Sequence, residues 1–396
     1  MREGAIFVID YEKLVNGQVS RIKPSGIRKF FDIANEMEDV ISLSVGEPDF
    51  HTPWHIREEG IATLEKGRTR YTPNRGFMRL REEITNYLRR RYQVRYDAET
   101  EVLVTVGGSE AIDLCVRCLV NPGDEVLIPE PSFVCYVPIV QMAGGVPVII
   151  ETKPENGFRL TGEELEEKIT EKTKLLIMPY PNNPTGAVMR RKDLEEVAAV
   201  VEKHNLMVLS DEIYGELTYG DAPHISFPSL PGMWERTVLV NGFSKSHSMT
   251  GWRLGYASGP KEIISLMTKL HQFAIMSAPT TSQYAAIEAL LNGDSDIEYM
   301  KSQYDMRRRL IVDGLNQMGL HCFEPEGAFY VFPSVKSTGL TSQDFCEKLI
   351  YSKHVAVVPG DAFGACGEGF VRISYSYSIK HISEALERME AFLREL

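Results

Sequence analysis

The chain has 396 residues and a formal net charge of −12, from 43 Lys and Arg against 55 Asp and Glu. This acidic balance argues against binding to nucleic acid or to an anionic membrane surface, both of which favour a basic face. The hydrophobic content of 43% is ordinary for a folded protein, and six cysteines are too few for a disulfide framework. Because no apolar run approaches the roughly 20 residues of a membrane span, we expect a globular protein of the cytoplasm.

In chain order, the first predicted element is an amphipathic helix near residues 27–37, with Ser25 as its cap. From residue 101 onwards, short apolar runs alternate with longer amphipathic segments. Runs such as LLIM and MVLS are typical of strands that helices bury on both faces. The predicted strands are 101–106, 124–129, 146–150, 174–178, 207–210 and 237–240. The predicted helices between them are 109–120, 133–142, 160–169 and 192–204.

This alternation predicts an α/β fold with a mostly parallel sheet covered by helices. Right-handed crossovers then bring the carboxyl ends of the parallel strands to one edge of the sheet. In sheets of this kind, ligands bind at that edge. We therefore look for functional residues directly after the predicted strands.

The pattern changes after about residue 260, where three long helices are predicted at 261–276, 282–291 and 297–318. We interpret the run Arg307, Arg308 and Arg309 as a solvated face of the third helix. The later elements are strands 329–332, 355–358 and 370–374, a helix at 341–351 and a closing helix from Ser378. This arrangement predicts a second, smaller α/β domain against which the N-terminal helix packs. The expected division is a large domain at 46–294 and a small domain made of 1–45 with 295–396.

Four polar clusters follow predicted strands. They lie at 107–110 (GGSE), 182–186 (NNPTG), 211–214 (DEIY) and 244–253 (SKSHSMTGWR). Taken singly, a Gly-Gly pair is usually a turn, an Asp after a strand is usually a helix cap and a lysine is usually a surface residue. No G-x-G-x-x-G or P-loop motif is present, so a dinucleotide site and a P-loop are disfavoured.

Metal binding is not predicted. Cys115 and Cys118 form a C-x-x-C, but no second Cys or His pair with metal-ligand spacing lies nearby, and the segment is typical of a buried helix. His51 and His55 are four residues apart, but Pro53 between them disfavours one continuous helix, and we interpret them as loop and helix-start residues.

Together, these motifs resemble those of the class I and II aminotransferases, the fold-type I enzymes that depend on pyridoxal phosphate. The motifs SVGEPDF, GGSEA, PNNPTG, SDEIY, SKSHSMTGWRLGY and FVRISY stand in that family's order and spacing. The resemblance extends from about Ser25 to the last helix. It implies a large domain with a mostly parallel sheet and a smaller α/β domain.

The resemblance also assigns roles around the cofactor ring. Lys245 would form the covalent link with the cofactor aldehyde, and its freed amine would carry a proton between the substrate Cα and the cofactor. Asp211 would pair with the pyridine N–H, which makes the ring an electron sink. Tyr214 and Asn183 would hydrogen-bond the phenolic oxygen, and Phe133 would stack on the ring.

At the phosphate end, the resemblance implies contacts from Ser109, Ser244 and Arg253 and from the N–H groups of Gly108 and Ser109. Glu110, next in the same motif, is included among the cofactor-binding residues. Tyr71 would reach the phosphate from the neighbouring subunit, which implies a homodimer with shared active sites.

At the substrate end, the resemblance places Arg372 on the substrate α-carboxylate, with Gly46 and Asn183 nearby. Transamination between an L-amino acid and a 2-oxo acid is the implied reaction, with glutamate and 2-oxoglutarate as the expected exchange pair.

The alternative reaction is that of a C–S β-lyase of the cystathionine β-lyase type, which would release ammonia and pyruvate from cystathionine. Acetyl-diaminopimelate, aspartate and aromatic amino acids stay open as the other substrate. Aspartate-selective relatives often carry lysine at the position of Ser109, which disfavours strict aspartate selectivity. The segments VNGFSKSHSMTGWR, SGIRKF and AVVPG are similar to those of acetyl-diaminopimelate aminotransferases.

Overall fold

A computed structural model describes residues 9–24, 26–220 and 223–396. Its strands are β1 (Ile41–Ser42), β2 (Val102–Thr105), β3 (Glu125–Glu130), β4 (Val146–Glu151), β5 (Thr173–Met178), β6 (Met207–Asp211), β7 (Thr237–Gly242), β8 (Gly255–Ser258), β9 (Tyr330–Val331), β10 (Val355–Ala356), β11 (Val358–Pro359) and β12 (Val371–Ser374). Its α-helices are α1 (Gly17–Ser20), α2 (Gly26–Glu36), α3 (Trp54–Glu65), α4 (Met78–Tyr92), α5 (Gly108–Leu119), α6 (Tyr136–Met142), α7 (Gly162–Glu166), α8 (Arg191–Lys203), α9 (Lys261–Ala274), α10 (Thr280–Asn292), α11 (Asp294–Gln317), α12 (Ser342–Lys353) and α13 (Ile379–Glu395).

A seven-stranded sheet in the order β2-β8-β7-β6-β5-β3-β4 forms the centre of the molecule. The pairs from β4 to β7 are parallel, whereas β8 runs antiparallel to both β7 and β2. Strand β5 shows how helices cover both faces of the sheet. Its Leu176 enters the core beneath α7 and α8, and its Leu175 and Ile177 enter the core beneath α5 and α6. The prediction of a mostly parallel α/β sheet is confirmed.

Two smaller sheets lie in the C-terminal part of the chain. Strands β11, β12 and β9 form an antiparallel sheet, and β10 pairs in parallel with β1 from the N-terminal region. Helix α2 contacts β10 and β11, and its Phe30 is buried in the same core as α11, α12 and α13. The N-terminal helix thus packs where it is expected. Its predicted cap, Ser25, lies outside the described residues.

Several sequence expectations change in the structure. Helix α3 begins at Trp54, next to the helix start expected at His55, whereas no element was predicted at α4 or β8. The interpretation of 307–309 as a solvated face is wrong for two of its three arginines, because Arg307 and Arg308 are buried. Successive helical residues point about 100° apart, so a run of three cannot share one face. The Arg307 guanidinium lies over Phe50 and pairs with Asp49, and Arg308 pairs with Asp305 and Glu324.

None of the helices in the described part of the chain combines the length and the hydropathy that a membrane span requires. The parallel strands β2, β3, β5, β6 and β7 end at the same edge of the sheet. The segments that follow β2, β5, β6 and β7 carry the polar clusters singled out in the sequence, and residues of these clusters line the cavity described next.

Candidate active site

A cavity of about 310 Å³ lies at the carboxyl edge of the central sheet. Its size is at the lower end of the roughly 300–1,000 Å³ range of small-molecule sites. The predicted site residues that line it are Gly46, Gly108, Ser109, Phe133, Asn183, Asp211, Tyr214, Ser244, Lys245, Arg253 and Arg372. Chain segments more than 300 residues apart therefore meet in one site.

Lys245 follows β7 and extends its amine into this cavity. The Nζ atom donates a hydrogen bond of 2.6 Å to the carbonyl oxygen of Gly46. Burial lowers the pKa of Lys245 to about 8. The positive charges of Arg372 and Arg253 act in the same direction, and the negative charge of Glu47 opposes them. With this pKa, roughly a tenth of the amine is uncharged at pH 7, far more than for an ordinary lysine, which suits a nucleophile and proton carrier.

Asp211 is the last residue of β6, and its side chain is buried at the floor of the cavity. The hydroxyl of Tyr136 donates to its Oδ2 at 2.8 Å, and the backbone N–H of Ile213 donates to its Oδ1 at 3.2 Å. Burial nevertheless raises the pKa of Asp211 to about 6, against the effect of these two bonds. A cationic N–H group beside this carboxylate would favour its ionised form.

Tyr214 lies three residues after Asp211, and its hydroxyl is 2.7 Å from the hydroxyl of Tyr330 on β9. Tyr330 also lies close to Gly46, where a Cβ atom would approach the Tyr330 oxygen to 2.2 Å. A side chain at position 46 would therefore displace Tyr330, which explains why glycine is needed in this segment.

Arg372 on β12 is fully enclosed, with only 2% of its surface exposed. Its Nη1 donates to Asn183 Oδ1 at 3.0 Å, its Nη2 donates to the Ser44 carbonyl oxygen, and its Nε has no partner among the described residues. The rings of Tyr330 and Phe363 flank the guanidinium at 4.6 and 4.8 Å. The two rings thus hold the guanidinium in place. Its unpaired N–H groups remain available to bind an anion such as a carboxylate.

The other end of the cavity is built around a tight turn before α5. Gly107 has a φ of +78°, and a Cβ atom there would lie 2.6 Å from Arg253 Nη2. Gly108 and Ser109, whose N–H groups begin α5, line the cavity together with Arg253 and Ser244. Helix N-terminal N–H groups together with an arginine and two hydroxyls match a phosphate group. The residues present therefore fit the phosphate of pyridoxal phosphate.

Two predicted cofactor-binding residues do not line the cavity. The carboxylate of Glu110 accepts hydrogen bonds from the Val106 N–H and pairs with His271 instead. Tyr71 is 83% exposed on the surface of this chain. Its predicted contact belongs to a neighbouring subunit, and it stays a prediction. In the described part of the chain, no group of three or more His, Cys, Asp and Glu residues could hold a metal ion.

Sequence reasoning missed two tyrosines that the structure brings into the site. The Tyr136 hydroxyl donates a hydrogen bond to the carboxylate of Asp211. The Tyr330 hydroxyl hydrogen-bonds that of Tyr214, and the Tyr330 ring stacks on the Arg372 guanidinium. Tyr136 lies only three residues after Phe133 in PSFVCY, so the motif itself could have indicated it. Tyr330 was assigned only to a strand, and its role depends on two distant segments meeting.

Comparison with known proteins agrees with this geometry. Residues 38–389 match the family "Aminotransferase class I and II". An aspartate aminotransferase of Pyrococcus abyssi is 48% identical and covers 96% of this chain and 98% of its own length. A Bacillus subtilis protein named "Probable N-acetyl-LL-diaminopimelate aminotransferase" is 44% identical, with 96% of each chain covered.

Among solved structures, an aromatic aminotransferase from Pyrococcus horikoshii superposes with a TM-score of 0.89. It is 47% identical, and the match covers 92% of this chain and 99% of that one. The fold-type I architecture expected from the sequence is thereby confirmed. The family match covers most of the chain and the relatives cover nearly all of it, and all are aminotransferases. The chain belongs to the class I and II aminotransferases, enzymes that depend on pyridoxal phosphate.

Proposed function

We propose that the cavity transfers an amino group from an L-amino acid to a 2-oxo acid, with glutamate and 2-oxoglutarate as one exchange pair. One observation carries the proposal: the Lys245 amine, the Asp211 carboxylate and the Arg372 guanidinium converge on a single cavity. A proton carrier, a counter-ion for a protonated ring and a carboxylate clamp are the three groups that this reaction needs from a protein.

Pyridoxal phosphate supplies an aldehyde that condenses with amines and a ring that accepts electrons from the substrate Cα. In our proposal, Lys245 Nζ takes the proton from Cα and returns it on the cofactor side, which its pKa of about 8 favours near neutral pH. Asp211 keeps a proton on the ring nitrogen. Because the Asn183 Oδ1 accepts from Arg372, its amide Nδ2 is the atom left to donate to the phenolic oxygen, beside the hydroxyl of Tyr214.

The second substrate is the finer part of the proposal. Arg372 would hold the α-carboxylate, and much of the remaining lining is apolar, with Val45, Ile112 and Pro181 among its members. Ser109 is short and uncharged, so it offers no cation to a distal carboxylate. These features support an aromatic amino acid or acetyl-diaminopimelate more than aspartate. The relatives at 44–48% identity carry the names of all three substrate classes.

We further propose a cytoplasmic homodimer in which each subunit completes the other's site. Large apolar side chains are exposed on α3 and at the end of α9. Phe273 is 84% exposed, and Trp54 and Leu64 are more than half exposed. Apolar groups exposed in this way are typical of a subunit interface. The division into a large domain at 46–294 and a small domain of 1–45 with 295–396 is part of the same proposal.

The test is the absorbance spectrum of the holoenzyme, recorded before and after the addition of single amino acids. We expect a yellow protein that one amino acid bleaches and a 2-oxo acid restores, and the most effective amino acid identifies the substrate class. Release of pyruvate and ammonia from cystathionine without bleaching would instead establish a β-lyase. The aminotransferase names of the relatives do not favour that alternative.

A further inference from the structure

Glu110 and His271 form a buried pair behind the turn that precedes α5. The His271 side chain, on α9, has no exposed surface, and its Nδ1 lies 2.6 Å from Glu110 Oε1. The second carboxylate oxygen, Oε2, accepts the backbone N–H of Val106 at the end of β2. The Glu110 carboxylate thus connects the end of β2, the first turn of α5 and the last turn of α9.

The opposite side of the same turn is closed by β8 and by Arg253. A Cβ atom at Gly255 would lie 2.6 Å from the carbonyl carbon of Gly107, so the two backbones are in direct contact. A Cβ atom at Gly107 would also lie 2.6 Å from Arg253 Nη2, so the turn packs against the guanidinium as well. The turn therefore cannot move toward the sheet, and the carboxylate of Glu110 restrains it from the other side.

We propose that Glu110 and His271 are positioning residues, which hold the 107–109 turn where its N–H groups bind the cofactor phosphate. The proposal rests on the proposed phosphate site at Gly108, Ser109 and Arg253. Neither residue lines the cavity, so each acts through the backbone and not by touching the cofactor. Glu110 is the link between them, because its two oxygens face the turn and the imidazole.

Two substitutions of Glu110 should have different effects on this pair. Glu110→Ala removes the acceptor of the Val106 N–H and leaves the His271 imidazole buried without a partner. Glu110→Gln keeps an acceptor oxygen of the same reach, and its amide nitrogen can still hydrogen-bond the imidazole. We therefore expect the glutamine variant to retain most of the function that the alanine variant loses.

The experiment compares the dissociation constants of pyridoxal phosphate and of pyridoxal, which lacks the phosphate, for the same apoprotein. We expect Glu110→Ala to weaken pyridoxal phosphate binding by about tenfold or more while leaving pyridoxal binding nearly unchanged. Glu110→Gln should restore most of the preference for the phosphate form. Glu288→Ala is a matched control, because it removes a carboxylate that pairs with a histidine, His55, outside the cavity.

Arg253→Ala distinguishes failure of this proposal from failure of the phosphate assignment. If Arg253→Ala reduces the preference for pyridoxal phosphate and Glu110→Ala does not, the phosphate site stands and the positioning role is wrong. If neither variant changes the preference, the phosphate site itself is misassigned. Equal weakening of both ligands by Glu110→Ala would show a general structural role and would also overturn the proposal.

His271→Leu provides a second route if Glu110→Ala gives no folded protein. Leucine fills much of the space of the imidazole and leaves the bond between Glu110 and Val106 available. We expect the same selective loss of pyridoxal phosphate binding, smaller than that of Glu110→Ala. An unchanged ratio of the two dissociation constants in a folded His271→Leu protein would contradict the proposal.

Discussion

The two ends of the cavity differ in how much of the site this chain completes by itself. Around Lys245, the side chains of Asp211, Tyr214, Asn183 and Arg372 are buried, and each has a hydrogen-bonding partner within the chain. At the phosphate end, Ser109 and Arg253 are exposed. In the proposed function, the chain supplies the groups around Lys245 by itself, and a second subunit covers the phosphate end. Substitutions at the two ends should therefore differ in size and in their dependence on a second subunit.

The largest effect is expected at the buried end, from Lys245→Ala. Loss of the amine removes both the covalent anchor and the proton carrier, so turnover should fall below detection. The cofactor should still bind, because the phosphate contacts and Asp211 remain. Steady-state assays and a titration with pyridoxal phosphate measure the two properties separately, and retained turnover would refute the central assignment.

Asp211→Asn tests the counter-ion at the same end. The neutral amide cannot hold a proton on the ring nitrogen, and we expect kcat to fall by roughly 10²–10³-fold, the scale of a lost preorganised charge. Asp211→Glu keeps the charge in a less suitable position and should lose less. A kcat for Asp211→Asn equal to that of the parent enzyme would show that the carboxylate serves only to bind Tyr136.

Arg372→Lys tests the carboxylate clamp. A point charge replaces a bidentate fork that two aromatic rings hold in place, so amino-acid binding should weaken by roughly 10–100-fold, and cofactor affinity should change little. KM for the amino donor and the dissociation constant of pyridoxal phosphate provide the two readouts. If KM stays at the parental value, the substrate carboxylate binds elsewhere.

The lowered pKa of Lys245 predicts a pH dependence for cofactor capture. Only the uncharged amine attacks the aldehyde, so the rate at which apoprotein takes up pyridoxal phosphate should rise about tenfold per pH unit below 8. Above pH 8 the rate should level off. For a lysine with the ordinary pKa of 10.5, the rate would keep rising up to about pH 10.5. Stopped-flow absorbance from pH 6 to 10 measures this profile, and a rise that continues to pH 10 would argue against a desolvated lysine.

The sequence predicted the buried end better than it predicted the connections between segments. Strand ends and family motifs located Lys245, Asp211 and Arg372, because a parallel sheet gathers such positions at one edge. Tyr330 was not identified, since its role depends on β9 meeting both the segment around Gly46 and the loop after β6. Glu110 was assigned to the cofactor because it follows Ser109 in the same motif, but it does not line the cavity. A motif does not tell which way each of its side chains points, and helical geometry turned this one towards α9.

The smallest effect is expected at the exposed end, from Tyr71→Phe. Loss of one phenol hydroxyl that would hydrogen-bond the phosphate should weaken pyridoxal phosphate binding by only about threefold to tenfold.

The informative step is to mix this variant with a large excess of Lys245→Ala, so that nearly every Tyr71→Phe subunit pairs with a Lys245→Ala partner. If Tyr71 serves the neighbouring site, the sites that retain Lys245 regain a tyrosine from their partner, and their cofactor affinity returns to the parental value. If the tyrosine serves its own chain, the affinity stays reduced in the hybrid. If it serves neither site, Tyr71→Phe alone leaves the affinity unchanged. Either result would overturn the proposed sharing of this tyrosine between subunits.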